Sequence, residues 1–385
     1  MQTALFRHSD VHDPYELYAK MLIEHPLFRD ISNGAWVVYD YAHCQQLLHN
    51  DLAQIPGQAP GSLESLNEYS LRLIRHLVRL NNPPDHALTR KVVLRLFDTR
   101  TSVPIPELVN QLLPPKNAPI AIDWMATVCK QLPVQILAAG FGFSKTDTNT
   151  ILTGIEDLIK IMLPVRTAGQ TAAINKASEE IYTITERHFI ERIFEQLWEK
   201  MPGSFDKDLI LPVCVSNLVG LFIQSYDAGR GILANSLLQV LVHGNPMELH
   251  ACNREYISKC VLETLRYDPP VHNTRRILTE DRMVSNTKLE KGQTVILMLA
   301  AANRDARQFA HPGIFDPYRD NNKELLTFGN GAHECMARHF SIHMATEALL
   351  YLFQNYKKIE LRASPGYEPL MNVRIPKEML VVLSP

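Results

Sequence analysis

Apolar side chains recur at helical spacing soon after the start of the chain, and this pattern predicts a helix over residues 14–24. An apolar, aromatic run at 36–39 predicts a strand, and residues 41–48 again show helical spacing. Residues 51–66 are rich in Gly, Pro and Ser, which is typical of a loop. A new helix is predicted after the Asn and Pro break at 81–85, because proline presets a first helical turn.

From residue 121 to residue 307 the apolar pattern is overwhelmingly helical, apart from a strand-rich stretch around 274–299. A last long helix is predicted over about 336–356, followed by strand-like segments. These patterns predict a mainly α fold with small β-sheets in one large domain covering residues 1–385. Its β-rich part is expected in about 1–60 with parts of 270–300 and 357–385, and its helical core in about 80–270 and 325–356.

The longest helix is predicted to begin near Leu211 and to run past Leu241. Gly229 and Gly231 lie in its middle, and each costs about 1 kcal/mol relative to alanine in a helix. Two explanations are open for these glycines: a local bulge in the helix, or a partner that packs closely against it.

Composition narrows the class of protein. The chain has 385 residues, 39 basic and 41 acidic, so its formal charge is −2. This balance excludes a disordered chain and gives no electrostatic sign of nucleic-acid binding. The pattern shows no uninterrupted run of about 18 apolar residues, and the first ten residues lack the apolar core of a signal peptide. We therefore expect no membrane insertion and a cytoplasmic location.

The six cysteines show no metal-binding spacing, and most are expected to be buried thiols. Cys335 differs because it follows two glycines in a tight loop and comes just before the last long helix. A thiolate there is stabilised by the helix dipole and by N–H groups. Two interpretations are open from these residues: an axial thiolate ligand for a haem iron, or a buried structural cysteine after a glycine turn.

The loop resembles the cysteine-ligand segment of the cytochrome P450 haem-thiolate monooxygenases, Phe-Gly-x-Gly-x-His-x-Cys-x-Gly. The matching residues are Phe328, Gly329, Gly331, His333 and Cys335, and Ala337 stands in place of the last glycine. Alanine is small enough to leave a porphyrin face open. The resemblance implies haem b as cofactor, Cys335 as its axial iron ligand, Phe328 beside the sulfur and His333 near a propionate.

Glu263 and Arg266 are three residues apart and lie on one face of a predicted helix. Taken alone, such a pair is usually a solvated surface ion pair of little energetic value. It resembles the Glu-x-x-Arg helix of the same family, in which the pair is buried and joined by a downstream Arg or His. Arg319 matches that third member, and the resemblance implies a structural role for the three residues.

The segment after residue 82 resembles the Pro-Pro-x-His-x-x-x-Arg helix of the family, with His86 and Arg90 on one helical face. Buried haem propionates require Arg or His partners. The resemblance therefore implies that His86 and Arg90 bind propionates, together with Arg276 from the strand region. The alternative is a basic patch on the surface.

The long central helix of the family carries the pattern Ala-Gly-x-Asp/Glu-Thr, which corresponds here to residues 224–228. The acid is present as Asp227, but Ala228 replaces the threonine whose hydroxyl usually helps to deliver protons. Protons would then come from Ser225, from ordered water or from a polar group of the substrate. Arg230 either pairs with Asp227 or is exposed.

Substrate contacts in this family come from the loop before the propionate helix, from the central helix and from the strand after Glu-x-x-Arg. These segments correspond to residues 55–73, 221–228 and 271–273. The mixture of side chains suits a small, partly polar molecule. The pocket residues expected from the last two segments are Gln224, Tyr226, Val271, His272 and Asn273.

The resemblance implies a soluble bacterial monooxygenase, in secondary metabolism, that receives electrons from a separate ferredoxin and ferredoxin reductase or uses peroxide. A monomer is the expected state. A second hypothesis keeps the haem but replaces oxygen insertion by desaturation, coupling or peroxide-driven oxidation, and Ala228 motivates it. A third hypothesis, a haem-free binding protein, conflicts with the presence of Cys335.

Overall fold

The computed structural model describes residues 4–49, 53–57, 61, 63–163, 165–200 and 206–385. Within the chain, residues group into two compact units. The first unit comprises Met1–Pro56, Ile105–Lys130 and Ala228–Pro385, and the second comprises Gly57–Pro104 and Gln131–Asp227. All the strands that the structure describes lie in the first unit, whereas the described part of the second unit is helical apart from its connecting loops.

The helices are, in chain order, α1 (Tyr15–Glu24), α2 (Tyr41–His49), α3 (Glu68–His76), α4 (Asp85–Phe97), α5 (Ile105–Leu112), α6 (Leu132–Phe141), α7 (Lys145–Leu158), α8 (Ala168–Arg192), α9 (Phe194–Trp198), α10 (Lys207–His243), α11 (Pro246–His250), α12 (Arg254–Tyr267), α13 (Leu299–Ala302) and α14 (Arg338–Asn355). The strands are β1 (Leu27–Asp30), β2 (Ala35–Val38), β3 (Ala53–Gln54), β4 (Ile120–Asp123), β5 (Thr274–Leu278), β6 (Arg282–Val284), β7 (Thr287–Leu289), β8 (Thr294–Leu297), β9 (Lys358–Leu361) and β10 (Leu380–Ser384). The prediction of a mainly α fold with small sheets is confirmed.

A five-stranded sheet organises the first unit, in the order β1-β2-β8-β5-β3. Strands β2 and β8 are parallel, with Val37 opposite Ile296, and the other neighbours are antiparallel. Because side chains alternate along a strand, Val37 and Ile296 join one buried cluster while Val38 and Val295 join another on the opposite face. The sheet is therefore covered on both faces, as its apolar strands require.

A second sheet, β4-β10-β9, corrects one expectation from the sequence. Residues 120–123 were expected at the start of a helical region, but they form β4 and pair with β10, with Ile122 opposite Val381. The segment Ile-Ala-Ile-Asp is short, and its pairing partner lies at the other end of the chain. The pattern of neighbouring residues does not indicate a pairing strand that is so distant in the chain.

In the second unit, α7 and α8 pack side by side through small and β-branched residues. Ile151, Ile155 and Ile181 are fully buried. A Cβ atom at Gly154 would lie 3.1 Å from Cδ1 of Ile181, so a glycine allows the two helices to approach closely here.

Helix α10 is 37 residues long and continues without a break past its two central glycines. A Cβ atom at Gly231 would lie 2.4 Å from Cβ of Pro270 and 3.1 Å from Cγ1 of Ile375. Of the two explanations for these glycines, close packing therefore holds at Gly231. The helix also corrects the expectation that no apolar segment is long enough to span a membrane, but 67% of that segment is buried inside the protein.

Candidate functional site

The cysteine loop is a tight reversal of the chain that ends just before α14. Gly329 and Gly331 both have φ of +72°, a left-handed conformation that favours glycine. The backbone N–H of Cys335 donates to the Phe328 carbonyl at 2.8 Å, and the N–H of Glu334 donates to the Gly331 carbonyl at 3.1 Å. These two bonds fix Cys335 relative to the glycines.

Gly331 is required for a second reason, which is close packing against the end of α2. A Cβ atom on Gly331 would lie 2.9 Å from the Leu48 carbonyl oxygen and 2.9 Å from Cα of His49. Ala337 is half-buried and directly precedes α14, and the N–H of Ser341 donates to its carbonyl at 2.8 Å. Cys335 therefore lies three residues before the first residue of α14, slightly further from the helix than the sequence predicted.

Cys335 is also distinguished by its exposure. Four of the six cysteines are buried, Cys252 is half-buried and Cys335 is exposed. Phe328 and His333 are half-buried beside it in the chain, and the Arg338 guanidinium lies 5.4 Å from the centre of the Phe328 ring. A ligand can therefore reach the Cys335 thiol, and the loop does not bury it as a structural cysteine.

The Glu-x-x-Arg pair lies in the core of the first unit. Glu263 and Arg266 are both 0% exposed and form a bidentate pair, with N–O distances of 2.6 and 2.8 Å. Arg319 comes within 3.7 Å of Glu263, and the N–H of Asp316 donates to the same carboxylate at 2.9 Å. Arg266 also donates to the carbonyl of Asn303. The structure thus brings the three predicted residues together, where they tie α12 to the coil after α13.

The predicted propionate residues are basic side chains in sheltered positions. In the second unit, His86 is 3% exposed on α4, and burial followed by the nearby Arg90 charge lowers its pKa. In the first unit, Arg276 is 4% exposed on β5 and donates to the Thr274 hydroxyl at 3.0 Å. Sheltered cationic or donor groups of this kind are suited to bind carboxylates.

Four residues of α10 form what we call the accessible patch: Gln224, Ser225, Asp227 and Ala228. Within residues 214–240, all of which the structure describes, every other residue is buried. Gln224, Ser225 and Asp227 are half-buried, and Ala228 is exposed. An exposed alanine in the middle of a buried helix marks a surface that a bound molecule can contact. Of the residues predicted on the central helix, all lie in this patch except Tyr226.

Two contacts on α10 were not predicted. The Tyr226 hydroxyl donates to the Glu156 carboxylate on α7 at 2.6 Å, and Tyr226 is only 2% exposed. Arg230 is buried and forms an ion pair with Glu368 at 3.5 Å, which corrects the idea that it is exposed. Glu156 and Glu368 carry no local sequence signal, because each partner lies far away in the chain.

The segment 271–273 is less open than expected. His272 is fully buried, its ring accepts or donates a hydrogen bond with the Tyr18 hydroxyl at 3.0 Å, and the His8 ring packs against it. Asn273 is buried and donates to the Met371 carbonyl at 2.8 Å, while Val271 is half-buried. The expectation of a substrate contact is therefore corrected for His272, whose side chain holds the N-terminal segment.

Comparisons with known proteins agree with this geometry. A model of the family Cytochrome P450 matches residues 235–380. The chain is 24% identical to the biotin biosynthesis cytochrome P450 of Bacillus subtilis over 96% of both chains. The crystal structure of P450BioI in complex with an acyl carrier protein ligated to hexadec-9Z-enoic acid has a TM-score of 0.83, at 22% identity, over 97% of this chain and 98% of that one.

Another similar structure is P450 RauA complexed with a biosynthetic intermediate of aurachin RE. Its TM-score is 0.80, at 22% identity, over 97% of this chain and 96% of that one. The chain therefore resembles the cytochrome P450 family in part of its sequence and in its fold. Proteins of that family are oxidoreductases, monooxygenases whose cofactor is haem.

The residues present fit that cofactor. The chemistry of a haem-thiolate centre needs one reachable sulfur and sheltered partners for two propionates. The exposed Cys335 after its glycine loop meets the first need. Sheltered His86 and Arg276 meet the second, each within its own unit.

Proposed function

We propose that this protein binds haem b through the Cys335 thiolate and oxidises a small, partly polar organic molecule. The observation that carries the proposal is the exposed Cys335 thiol, presented by two left-handed glycines in a chain that resembles this family. When bound, a thiolate-ligated haem supplies the activation of dioxygen. We propose that residues 1–385 form one cytochrome P450 domain.

The surrounding residues then have distinct roles in holding the cofactor. Gly329 and Ala337 leave space for a flat ring, and Phe328 is assigned a place beside the sulfur. His333, Arg276, His86 and Arg90 are assigned to the propionates, because charge-assisted hydrogen bonds offset the cost of burying carboxylates. The Glu263, Arg266 and Arg319 cluster is a structural support for the coil that leads to the cysteine loop.

Asp227 and Ser225 are the two polar residues of α10 that we consider for proton movement on the substrate side. Ala228 has no hydroxyl, and the Ser225 hydroxyl donates to the Phe222 carbonyl at 3.0 Å. Ser225 can pass on a proton only if that bond breaks. We therefore assign proton delivery to ordered water or to the substrate itself. Asp227 is assigned as the acidic side chain that holds this water or substrate group.

The biological setting is inferred from similar proteins. Redox partners supply electrons to bacterial members of the family, and we assign a ferredoxin-type donor here. The P450 RauA complex contains a biosynthetic intermediate, which supports an oxidation in secondary metabolism. The P450BioI complex contains an acyl carrier protein, so a carrier-bound substrate is one form to test. Burial of most of the apolar segment in α10 supports a cytoplasmic location.

A second candidate function is oxidation without oxygen insertion: desaturation, coupling or a peroxide-driven reaction. Ala228 favours it, because controlled proton delivery to dioxygen lacks its usual hydroxyl. Turnover under ¹⁸O₂ separates the two candidates. Insertion places one heavy oxygen atom in the product, whereas desaturation or coupling leaves the product unlabelled.

The test of the proposed function is the reduced carbon monoxide difference spectrum of the purified protein. We expect a Soret band in the position typical of thiolate-bound haem. A preparation that binds no haem, or whose reduced carbon monoxide complex lacks the thiolate band, would contradict the proposal.

A further inference from the structure

A serine, a histidine and an aspartate of the first unit are linked by hydrogen bonds, outside both the cysteine loop and α10. The Ser285 hydroxyl lies 3.2 Å from Nε2 of His43, and Nδ1 of the same ring lies 2.8 Å from the Asp40 carboxylate. Asp40 is buried, His43 is half-buried and Ser285 is exposed. This is the arrangement of a nucleophile, a general base and a group that orients the base.

The start of α2 supplies the base and the group that orients it. Asp40 directly precedes the helix, and its carboxylate accepts the backbone N–H of His43 at 3.0 Å, as a helix cap does. The same carboxylate holds the His43 ring through Nδ1. An ionised carboxylate only accepts hydrogen bonds, so Nδ1 carries the proton. In the neutral ring Nε2 is then the acceptor that faces the Ser285 hydroxyl.

The turn between β6 and β7 presents Ser285. Its φ is +53°, a left-handed conformation that is uncommon for residues other than glycine. Val284 and Leu289, on the two strands of this hairpin, belong to the same buried cluster as Cys44 of α2. Packing in the core therefore positions the hairpin relative to α2, and the Ser285 hydroxyl stays within reach of His43.

We propose that Ser285 is the nucleophile of a second site, which hydrolyses short esters with a good leaving group. Ser285 Oγ attacks the carbonyl carbon and an O–C bond forms, while its proton passes to Nε2 of His43. His43 gives that proton to the leaving oxygen as the ester C–O bond breaks. Water then attacks the acyl-serine by the same route, which releases the acid and restores Ser285.

The exposure of Ser285 decides the class of substrate. Charge that develops on an ester oxygen is stabilised less well beside water than in an enclosed site, so the leaving group must be good. In this site Ser285 and His43 are catalytic residues, and Asp40 is a positioning residue. The reaction needs no haem, so the inference goes beyond the proposed function and does not depend on it.

A fluorophosphonate probe tests the nucleophile on the purified full-length protein. An O–P bond forms at the serine, the P–F bond breaks with loss of fluoride, and the serine proton passes to His43. We expect mass spectrometry to locate the label on the peptide that contains Ser285. Ser285→Gly should lose this label without loss of fold, because glycine adopts a positive φ readily.

The matched control is Ser9→Ala, which should keep the label. Ser9 is also exposed, but its hydroxyl donates directly to a carboxylate, that of Asp10, at 2.7 Å. A hydrogen bond to a carboxylate orders a serine hydroxyl, whereas a base between the two is what activates it.

Two further variants separate an activated serine from a surface serine beside a capped helix. His43→Gln should slow labelling about 100-fold, as expected when a general base is removed. Asp40→Asn keeps a side chain that caps helices but removes the charge that orients the ring. Its labelling rate should fall about tenfold or more while the final amount of label is unchanged. A purely structural role of Asp40 would instead lower the final amount.

Hydrolysis of para-nitrophenyl acetate, followed with the same variants, should show the same order of rates. The absence of label on Ser285, or a labelling rate in His43→Gln equal to that of the wild type, would overturn the inference. Ester turnover no faster in the wild type than in Ser285→Gly would do the same. Failure of the proposed function is a separate result, because it appears in the carbon monoxide spectrum and leaves the Ser285 label in place.

Discussion

At the scale of single residues, the role of a side chain depends more on its environment than on the type of residue. Cys44, Cys129 and Cys214 are fully buried, and burial raises the pKa of each thiol, to about 12 for Cys214. A neutral buried thiol is a poor metal ligand, since the thiolate is the form that binds a metal. Cys335 is reachable, which agrees with our proposal that its thiolate binds the iron.

Replacement of Cys335 by serine should abolish the thiolate band in the reduced carbon monoxide spectrum and remove turnover. A serine hydroxyl stays protonated and cannot supply the thiolate charge that the iron requires. Cys252→Ser is the control, because Cys252 is only half-buried and its thiol contacts a backbone carbonyl. An unchanged spectrum in Cys335→Ser, with Cys252→Ser also unchanged, would show that another group binds the iron.

The absent hydroxyl at Ala228 leads to a second prediction at this scale. If protons reach the site through the substrate or ordered water, Ala228→Thr should not improve the coupling of electron uptake to product by more than about twofold. The measurement is the ratio of product formed to reducing equivalents consumed, with substrate affinity followed by the spin-state shift. A several-fold gain in coupling at unchanged affinity would contradict assistance by the substrate.

At the scale of elements, α10 owes its path to close packing at its glycines. Gly231 lies against Pro270 and Ile375, although a glycine in the middle of a helix costs about 1 kcal/mol relative to alanine. The space occupied by these neighbours outweighs helix propensity at this position. The role of Gly231 could not be assigned from the sequence, because Pro270 and Ile375 are distant from it in the chain.

Gly231→Ala should therefore destabilise the protein by about 1–3 kcal/mol, the range typical of overpacked cores. Gly169→Ala on α8 is the matched control, since nothing lies within 4 Å of its Cβ position. This control should be neutral or stabilising by up to about 1 kcal/mol. The measurement is the free energy of unfolding in urea, and an equal effect of both substitutions would rule out close packing as the reason for Gly231.

At the scale of the whole molecule, the N-terminal segment and the segment after α12 share a buried polar cluster in the first unit. The His8 ring lies 4.3 Å from the His272 ring, and the Tyr15 hydroxyl donates to Asp268 at 2.7 Å. Burial, followed by the charge of Arg374, lowers the pKa of His8 to about 3. The folded protein therefore keeps His8 neutral over a wide pH range.

This cluster predicts a loss of stability in mild acid. The unfolded chain protonates His8 below its usual pKa of 6.5, whereas the folded protein does so only near pH 3, so stability falls as the pH drops between these values. From pH 7.5 to pH 5.5 His8 alone should remove about 1.4 kcal/mol from the free energy of unfolding. His8→Phe should remove that part of the pH dependence.

The exposed His12 provides the control for this prediction. His12→Gln should leave the difference in unfolding free energy between pH 7.5 and pH 5.5 as it is in the wild type. If His8→Phe retains the full difference as well, the acid sensitivity arises from other groups. Buried His272, whose pKa burial also lowers, would then be the group to replace next.

Local patterns predicted the parts of the fold that depend on local interactions. Helices α1, α2, α4 and α14 lie within a few residues of their predicted positions, because helical periodicity and breaks by proline act over one or two turns. Strand β4 was missed because its pairing with β10 is long-range. Of the site, the order of the motifs was visible in the sequence, but the burial of His272 and the ion pair of Arg230 with Glu368 were not.

The sequence by itself determined the chemistry available to this protein: one cysteine after a Gly-x-Gly loop, a Glu-x-x-Arg helix, and alanine in place of a threonine on the central helix. These are properties of residue type and spacing. Only the tertiary structure decided which groups a ligand can reach and how their side chains are held. Exposure of Cys335 and the bond of Gln224 to Gly220 depend on packing and on hydrogen bonds formed in the folded chain.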